Sequence, residues 1–124
     1  MRILVLGASG MLGNAMIRVL NEKAGWQVYG TLRSESAKRF FSADIAGRLL
    51  PGIDVEQHDS LLQAFIRTRP EVVINCVGLI KQLADADDPL QAIPINALLP
   101  HRLARLCELS GARLVHMSTD CVFA

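Results

Sequence analysis

Three glycines stand directly after the first apolar run of the chain, at Gly7, Gly10 and Gly13. The run itself, residues 2–6 (RILVL), predicts a short buried β-strand, and apolar residues at helical spacing begin directly after the glycines. A strand, a glycine-rich turn and a helix in this order form the phosphate-binding opening of a dinucleotide fold. The spacing G-x-x-G-x-x-G is one residue longer than that of the standard fingerprint, G-x-G-x-x-G.

Each glycine has its own task in such a turn. Gly7 lets the chain turn sharply as it leaves the sheet, Gly10 leaves room for a pyrophosphate beside the backbone, and Gly13 lets the helix pack close to the strand. The free N–H groups of the first helical turn, with about half a positive charge from the helix dipole, then face the phosphates. A tight turn without a ligand is the alternative, and the place of the glycines between strand and helix favours the dinucleotide site.

Strand-like and helix-like apolar patterns alternate along the whole chain. Strands are predicted at residues 3–6, 27–32, 53–55, 71–77 and 113–117, and helices at 11–23, 60–68 and 89–110, with a short one near 37–41. Right-handed crossovers between parallel strands then predict an α/β fold. It is a three-layer Rossmann fold, a parallel sheet of about five strands in the order 3-2-1-4-5 with helices on both faces. At 124 residues the chain is one NAD(P)-binding domain, residues 1–124.

The charge and the cysteines exclude several classes of protein. A net charge of +1 predicts no broad attraction to nucleic acid or to an anionic membrane, and no apolar stretch approaches the length that crosses a membrane. The three cysteines and three histidines lack C-x-x-C or ligand spacing, so neither a disulfide framework nor a metal site is predicted. A reduced cytoplasmic protein is the simplest interpretation.

Ligands of such a sheet bind at the carboxyl ends of its strands, near the point where the strand order reverses. The end of the second predicted strand lacks the Asp or Glu that binds a free ribose 2′-OH, and Arg33 stands there instead. Arg33 is therefore placed to receive a 2′-phosphate, which favours NADP(H) and leaves NAD(H) as the alternative. A solvated turn arginine is the other interpretation of this residue.

Two further strand ends carry candidate cofactor contacts. Asp54 and Val55 end the third predicted strand, where a carboxylate would accept a hydrogen bond from the adenine amino group, and a turn aspartate is the alternative. Residues 75–78 (NCVG) follow the fourth strand, and small residues there would let the backbone lie along the cofactor. Cys76 has no histidine placed to activate it, so a small buried residue is favoured over a nucleophile.

Residues 118–120 (STD) follow the fifth predicted strand, beside the expected place of a nicotinamide ring. A hydroxyl there would hydrogen-bond a substrate carbonyl and stabilise the alkoxide character that develops during hydride transfer. A helix cap is the alternative for this triplet.

Four segments together resemble the N-terminal half of an extended short-chain dehydrogenase/reductase, and within it the dTDP-4-dehydrorhamnose reductase branch. They are residues 1–13 (MRILVLGASGMLG), 69–78 (RPEVVINCVG), 95–106 (INALLPHRLARL) and 114–123 (LVHMSTDCVF). The last is the most specific, because reductases of this branch commonly carry Ser-Thr-Asp-Tyr-Val-Phe there. Cys121 replaces the usual Tyr of that pattern.

The resemblance implies roles for single residues. Thr119 would be the catalytic hydroxyl residue that positions the keto group of the sugar, Asn96 would help to organise the site, and Lys81 would reach the substrate. The cofactor contacts that it implies are Gly10, Met11 and Leu12 at the pyrophosphate, Asp54 and Val55 at the adenine, and Cys76, Val77 and Gly78 on the ribose side.

The implied reaction is the reduction of a 4-keto nucleotide sugar by NADPH. The family's proton donor, a Tyr followed four residues later by a Lys, is not in the sequence, whose single tyrosine is Tyr29 inside the second predicted strand. These 124 residues alone are therefore expected to be inactive. The alternatives are a nucleotide-sugar epimerase or dehydratase of the same superfamily, and a non-catalytic regulatory subunit that binds a dinucleotide.

We expect the chain to be a fragment that lacks the C-terminal substrate lobe, because the sequence stops soon after the fifth-strand motif. The fifth strand would then be a sheet edge without part of its apolar cover, which favours self-association. The expected partners are thus a nucleotide-sugar substrate and, in a homodimer, a second copy of the chain, with neither nucleic acid nor membrane.

Overall fold

A computed structural model describes residues 1–8, 10–77 and 99–117, which form a parallel sheet covered by helices. The strands are β1 (Arg2–Leu6), β2 (Gln27–Thr31), β3 (Leu49–Leu50), β4 (Val72–Asn75) and β5 (Arg113–His116). The helices are α1 (Met11–Asn21), a 3₁₀ helix (Glu35–Phe40), α2 (Ala43–Ala46), α3 (His58–Thr68) and α4 (Leu99–Ser110).

The strands follow the order β3-β2-β1-β4-β5 and all neighbours are parallel, which confirms the predicted order. Strand β1 is central, with Leu4 opposite Tyr29 on one side and Val73 on the other. The strand order reverses at β1. From β1 the chain continues to β2 on one side of this strand, and β4 pairs with its other side. The carboxyl ends of β1 and β4 therefore border the crevice where sheets of this kind bind ligands.

Each face of the sheet carries its own apolar core, because successive residues of a strand point to opposite faces. Ile3 and Val5 of β1 pack with Ile17 of α1 on one face. Leu4 and Leu6 lie in the other core, which contains Leu61 and Phe65 of α3 and Leu103 of α4. The continuous apolar run of β1 is thus explained by helices on both faces.

The third strand lies earlier in the chain than the sequence pattern predicted. The prediction at residues 53–55 is wrong, and β3 is the two-residue strand Leu49–Leu50. Gly52, with a φ of 74°, turns the chain directly after it. Asp54 then begins a second turn, in which its carbonyl accepts a hydrogen bond from the Gln57 N–H (2.9 Å). These two turns leave no room for a strand at 53–55.

Helix α3 begins two residues before its predicted start. Its N-cap is Gln57, which makes no side-chain capping bond, and Asp59 lies inside the first turn. A carboxylate in that turn still interacts favourably with the helix dipole.

Helices α1 and α3 each bury one face and expose the other. In α3 the buried residues are Leu61, Ala64, Phe65 and Thr68. Two apolar residues lie on the exposed faces: Ile66 of α3 is 62% exposed, and Val19 of α1 is 57% exposed. The predicted helix at 89–110 is described from Leu99 onward, and its end at Ser110 agrees with the prediction.

Gly30 in β2 lets side chains of α1 and β3 lie against the backbone of β2. A Cβ at this position would meet the Ile17 Cδ1, the Ala8 Cβ at 2.9 Å and the Leu49 Cδ2 at 2.9 Å. We predict that Gly30→Ala lowers the free energy of unfolding, measured by urea denaturation, by about 1–3 kcal/mol, because overpacking shifts the surrounding side chains.

Gly47→Ala is the matched control for this measurement. A Cβ there would lie 3.6 Å from the Ala43 carbonyl oxygen, an ordinary contact, and the φ of −64° suits any residue. The control should change the free energy of unfolding by less than about 1 kcal/mol. Equal losses in the two variants would contradict the close packing at Gly30.

Candidate functional site

The glycine turn connects β1 to α1 at the carboxyl edge of the sheet. Gly7 has a φ of 81°, a region that glycine occupies without the strain of a side chain. The Gly10 N–H donates to the Gly7 carbonyl (3.1 Å), which closes the turn. The Asn14 N–H then donates to the Gly10 carbonyl (2.9 Å) and begins the helix.

Two of the three glycines are required by the protein's own packing. A Cβ on Gly13 would overlap the Gly7 carbonyl oxygen and lie 2.8 Å from the Gly7 carbonyl carbon. A Cβ on Gly7 would lie 3.0 Å from the Val77 Cγ2 and 3.3 Å from the Cys76 carbonyl carbon. The structure therefore shows the close helix–strand approach that the sequence predicts at Gly13.

Gly10 differs from the other two glycines. Its φ is −74°, and a Cβ there would lie 3.5 Å from the Gly7 carbonyl oxygen, which is an ordinary contact. The described part of the fold therefore tolerates a side chain at position 10. Space for a ligand beside the backbone is the reason that the dinucleotide motif gives for a glycine here.

The start of α1 is open to an anion. Its N-cap is Gly10, which has no side chain to cap the helix, and no acidic residue stands in the first turn. The Met11 side chain is 79% exposed and Leu12 is half-buried. Backbone N–H groups and the positive end of the helix dipole thus coincide at the carboxyl edge of the sheet, a combination that suits phosphate.

Thr31, the last residue of β2, holds the glycine turn in place. It is 2% exposed, its hydroxyl oxygen accepts a hydrogen bond from the Gly7 N–H (3.2 Å), and its carbonyl accepts one from the Ala8 N–H (3.0 Å). The sequence pattern did not predict this role. The one feature of the sequence that points to it is a hydroxyl residue at the end of the strand next to the glycine turn.

Arg33 follows β2 and is exposed, whereas Leu32 before it is 1% exposed. The nearest acid in the sequence is Glu35, whose carboxylate lies 3.7 Å from the Lys38 ammonium. Ser34 and Ser36 stand on either side of Glu35 in the sequence, and their hydroxyls lie 2.7 Å apart. The carboxylate that would bind a ribose 2′-OH is therefore missing from the end of β2, as the sequence shows.

Asp54 serves as a turn residue. Its carboxylate accepts a hydrogen bond from the Glu56 N–H (3.0 Å), and its own N–H donates to the Ser60 hydroxyl (2.9 Å). Val55 is half-buried and packs against the core on the α3 face. Both residues follow the turn after β3 rather than a strand, and the adenine contact that the sequence suggests for them stays a prediction.

Cys76 is a buried residue next to the glycine turn. It is 7% exposed, and its N–H donates to the Leu6 carbonyl (3.1 Å), which extends the pairing of β1 and β4. Burial raises the pKa of the Cys76 thiol to about 11, so the thiol stays protonated near neutral pH and is a poor nucleophile. The prediction of a small buried residue is confirmed.

The structure brings seven of the predicted site residues to one place, at the turn between β1 and α1 and the neighbouring end of β4. They are Gly7, Gly10, Met11, Leu12, Gly13, Cys76 and Val77. Arg33 and Asp54 follow β2 and β3 at the same edge of the sheet. Tyr29 is a half-buried strand residue, as expected. The predicted site residues outside the described part of the chain are Gly78 and Thr119, together with Lys81, Asn96 and Cys121.

Neither a metal centre nor a membrane segment is found among the described residues. No three of their His, Cys, Asp and Glu side chains lie close enough together to hold a metal ion. None of the helices in residues 1–8, 10–77 and 99–117 is long and apolar enough to cross a membrane.

Comparison with known proteins identifies the family. The family model for the RmlD substrate binding domain matches residues 1–124. The dTDP-4-dehydrorhamnose reductase of Mycolicibacterium smegmatis is 31% identical over 98% of this chain and 31% of its own length. The methionine adenosyltransferase 2 subunit beta of Xenopus laevis is 29% identical over 98% of this chain and 33% of its own length. The chain thus spans about a third of the length of these curated relatives.

Solved structures of similar fold include complexes with both nicotinamide dinucleotides. The Bacillus anthracis dTDP-4-dehydrorhamnose reductase in complex with NADP has a TM-score of 0.65 and 23% identity, over 91% of this chain and 34% of that chain. The Bordetella bronchiseptica enzyme WbmG in complex with NAD has a TM-score of 0.75 and 25% identity, over 94% of this chain and 36% of that chain. These neighbours confirm the Rossmann-like fold.

The hydroxyl of Thr31 can be tested by a substitution of equal shape. Thr31→Val removes the acceptor of the Gly7 N–H, and we predict that it lowers the free energy of unfolding by about 1–3 kcal/mol, since a half-buried donor loses its partner. Thr31→Ser keeps the hydroxyl and is the control. Urea denaturation that gives the same stability for both variants would show that the hydrogen bond does not hold the turn.

Proposed function

The chain belongs to the RmlD substrate binding domain family, and on this basis we propose that its glycine turn binds the pyrophosphate of NAD(P)H. The observation that carries the proposal is that the packing of the described fold does not require a glycine at position 10. A side chain fits there within the described fold, and the residue lies at the uncapped start of α1. A glycine that the fold does not require, at a helix start that suits phosphate, fits a bound dinucleotide.

We propose further that the whole protein is an oxidoreductase acting on a 4-keto nucleotide sugar. This class is supported by the similarity to the dTDP-4-dehydrorhamnose reductase of Mycolicibacterium smegmatis. Bound NAD(P)H would supply the hydride. Within this chain, the glycine turn would hold the cofactor, and Thr119 would position the keto group through its hydroxyl. The 124 residues contain no Tyr-x-x-x-Lys pair to donate the proton, so alone they are proposed to be inactive.

NADP(H) is the proposed cofactor, on the basis of the residues that follow β2. A 2′-phosphate carries negative charge, and the exposed Arg33 would meet it where a carboxylate would otherwise accept a ribose hydroxyl. Glu35 is paired with Lys38, which reduces repulsion of a phosphate at this edge. A cytoplasmic location belongs to the same proposal, because Cys76 and Cys107 are both free thiols, as a reducing compartment allows.

A second candidate is a dinucleotide-binding subunit that serves another enzyme. It is favoured by the match to the methionine adenosyltransferase 2 subunit beta of Xenopus laevis, which covers the same 98% of this chain. Both candidates need the glycine turn. An assay of the full-length protein with NADPH and dTDP-4-dehydrorhamnose distinguishes them, since only the reductase oxidises NADPH in step with loss of the keto sugar.

Gly10→Ala tests the dinucleotide site itself. We predict that it weakens NADPH binding, followed by calorimetric titration, at least about tenfold, or 1.4 kcal/mol, because the methyl group occupies the space of the pyrophosphate. The free energy of unfolding should change by less than about 1 kcal/mol, because position 10 accepts a Cβ and loses only a glycine N-cap. Unchanged NADPH affinity in a folded Gly10→Ala protein would contradict the proposed site.

Arg33→Asp tests the choice of cofactor. We predict that it weakens NADPH binding at least about tenfold and leaves NADH binding equal or stronger, because the new carboxylate repels a 2′-phosphate and accepts a ribose hydroxyl. Arg105→Asp, the same charge change on the exposed side of α4, is the control and should leave both affinities unchanged. An unaltered ratio of the two affinities in Arg33→Asp would remove Arg33 as the selector.

A further inference from the structure

Asn75 and His116 form a polar pair at the carboxyl edge of the sheet that the proposed function does not use. They end the neighbouring strands β4 and β5 and lie opposite each other in register. The Asn75 side chain is largely buried, at 6% exposed, whereas His116 is exposed. The Asn75 Nδ2 lies 3.2 Å from the His116 Nδ1, and the Asn75 Oδ1 accepts a hydrogen bond from the Val77 N–H (3.1 Å).

These contacts determine the orientation of the Asn75 amide and the tautomer of the His116 ring that fits the pair. The Val77 N–H is only a donor, so the amide atom that faces it must be the oxygen. The NH₂ group of Asn75 then faces His116, and because NH₂ only donates, the His116 Nδ1 must carry a lone pair. In this hydrogen bond the imidazole therefore carries its proton on Nε2.

The pair is connected to the glycine turn through Val77. The Val77 Cγ2 lies 3.0 Å from the point where a Cβ on Gly7 would stand, so Val77 borders the first residue of the turn. The Asn75 carbonyl also accepts a hydrogen bond from the Met117 N–H (3.0 Å), the first residue after β5. Asn75 thus holds the chain that follows β4 and the chain that follows β5 at once.

We propose that His116 is a positioning residue for the dinucleotide site and acts through Asn75. The Nδ1 lone pair of His116 fixes the Asn75 amide, the amide fixes the Val77 N–H, and Val77 supports the glycine turn from the side of β4. This inference rests on the proposed function, because the turn matters only if it binds a dinucleotide. The exposed imidazole is not needed for burial of the core, so its effect on binding and its effect on folding are separable.

The tautomer of His116 gives a test that is independent of any ligand. In ¹⁵N NMR spectra of the imidazole nitrogens, His116 should show a protonated Nε2 and an unprotonated Nδ1 at a pH where the ring is neutral. In Asn75→Asp the carboxylate keeps the bond to the Val77 N–H and faces His116 with an acceptor, so the proton should move to Nδ1. The exposed His101 on α4 is the internal control and should be unaffected. A His116 tautomer that does not respond to Asn75→Asp would overturn the pair.

Two substitutions at position 116 test the effect on binding. His116→Asn places an amide oxygen near the position of Nδ1 and keeps an acceptor for Asn75, whereas His116→Leu keeps bulk and removes the acceptor. We predict that His116→Leu raises the NADPH Kd at least threefold and that His116→Asn restores it to within about twofold of the wild type. Both variants should unfold at urea concentrations close to that of the wild type.

The outcomes separate this inference from the proposed function. Wild-type protein that binds no NADPH refutes the proposed function and the positioning role together, while the NMR result still decides whether the pair exists. Wild-type protein that binds NADPH, with equal affinity in His116→Leu and His116→Asn, refutes the positioning role alone. A rise in Kd that appears in His116→Leu and is reversed in His116→Asn supports it.

Discussion

The contact between the start of α1 and the end of β1 is the constraint on which the rest of this structure depends. Gly13 lies directly against the Gly7 carbonyl, at a distance that a Cβ would not allow. One strand further along the sheet, Gly30 lets the Ile17 side chain reach the backbone of β2. The two glycines fix how close the helix lies to the sheet. That closeness buries Ile17 and directs the first turn of α1 toward the carboxyl edge of β1.

The same edge is held from both sides by polar side chains on the strands that flank β1. Thr31 of β2 accepts a hydrogen bond from the Gly7 N–H, and Asn75 of β4 accepts one from the Val77 N–H. Backbone amides that leave a sheet lose their strand partners, and each of these two acceptors restores one. The packing of the protein itself therefore shapes the turn, and Gly10 is the one of its three glycines that this packing does not require.

The sequence was sufficient for features that depend on local patterns. Strand order follows from alternating apolar runs and right-handed crossovers. The buried thiol of Cys76 was predicted because no histidine is placed to activate it. The third strand was misplaced because Leu49–Leu50 is only two residues long, too short to show a period of two. The roles of Thr31, Asn75 and His116 were missed because they depend on which residues of neighbouring strands lie opposite one another. The catalytic role of Thr119 stays a prediction from resemblance.

The most direct test of the central claim, that the glycine turn at the start of α1 is a dinucleotide site, is an amide-shift titration. NADPH is added to ¹⁵N-labelled wild-type protein and the backbone amide resonances are followed by NMR. The account predicts saturable shifts that are largest at the amides of Met11, Leu12 and Gly13, with little change at Glu71 on the opposite edge of the sheet. Saturable shifts centred on that opposite edge, or no saturable shifts at all, would contradict it.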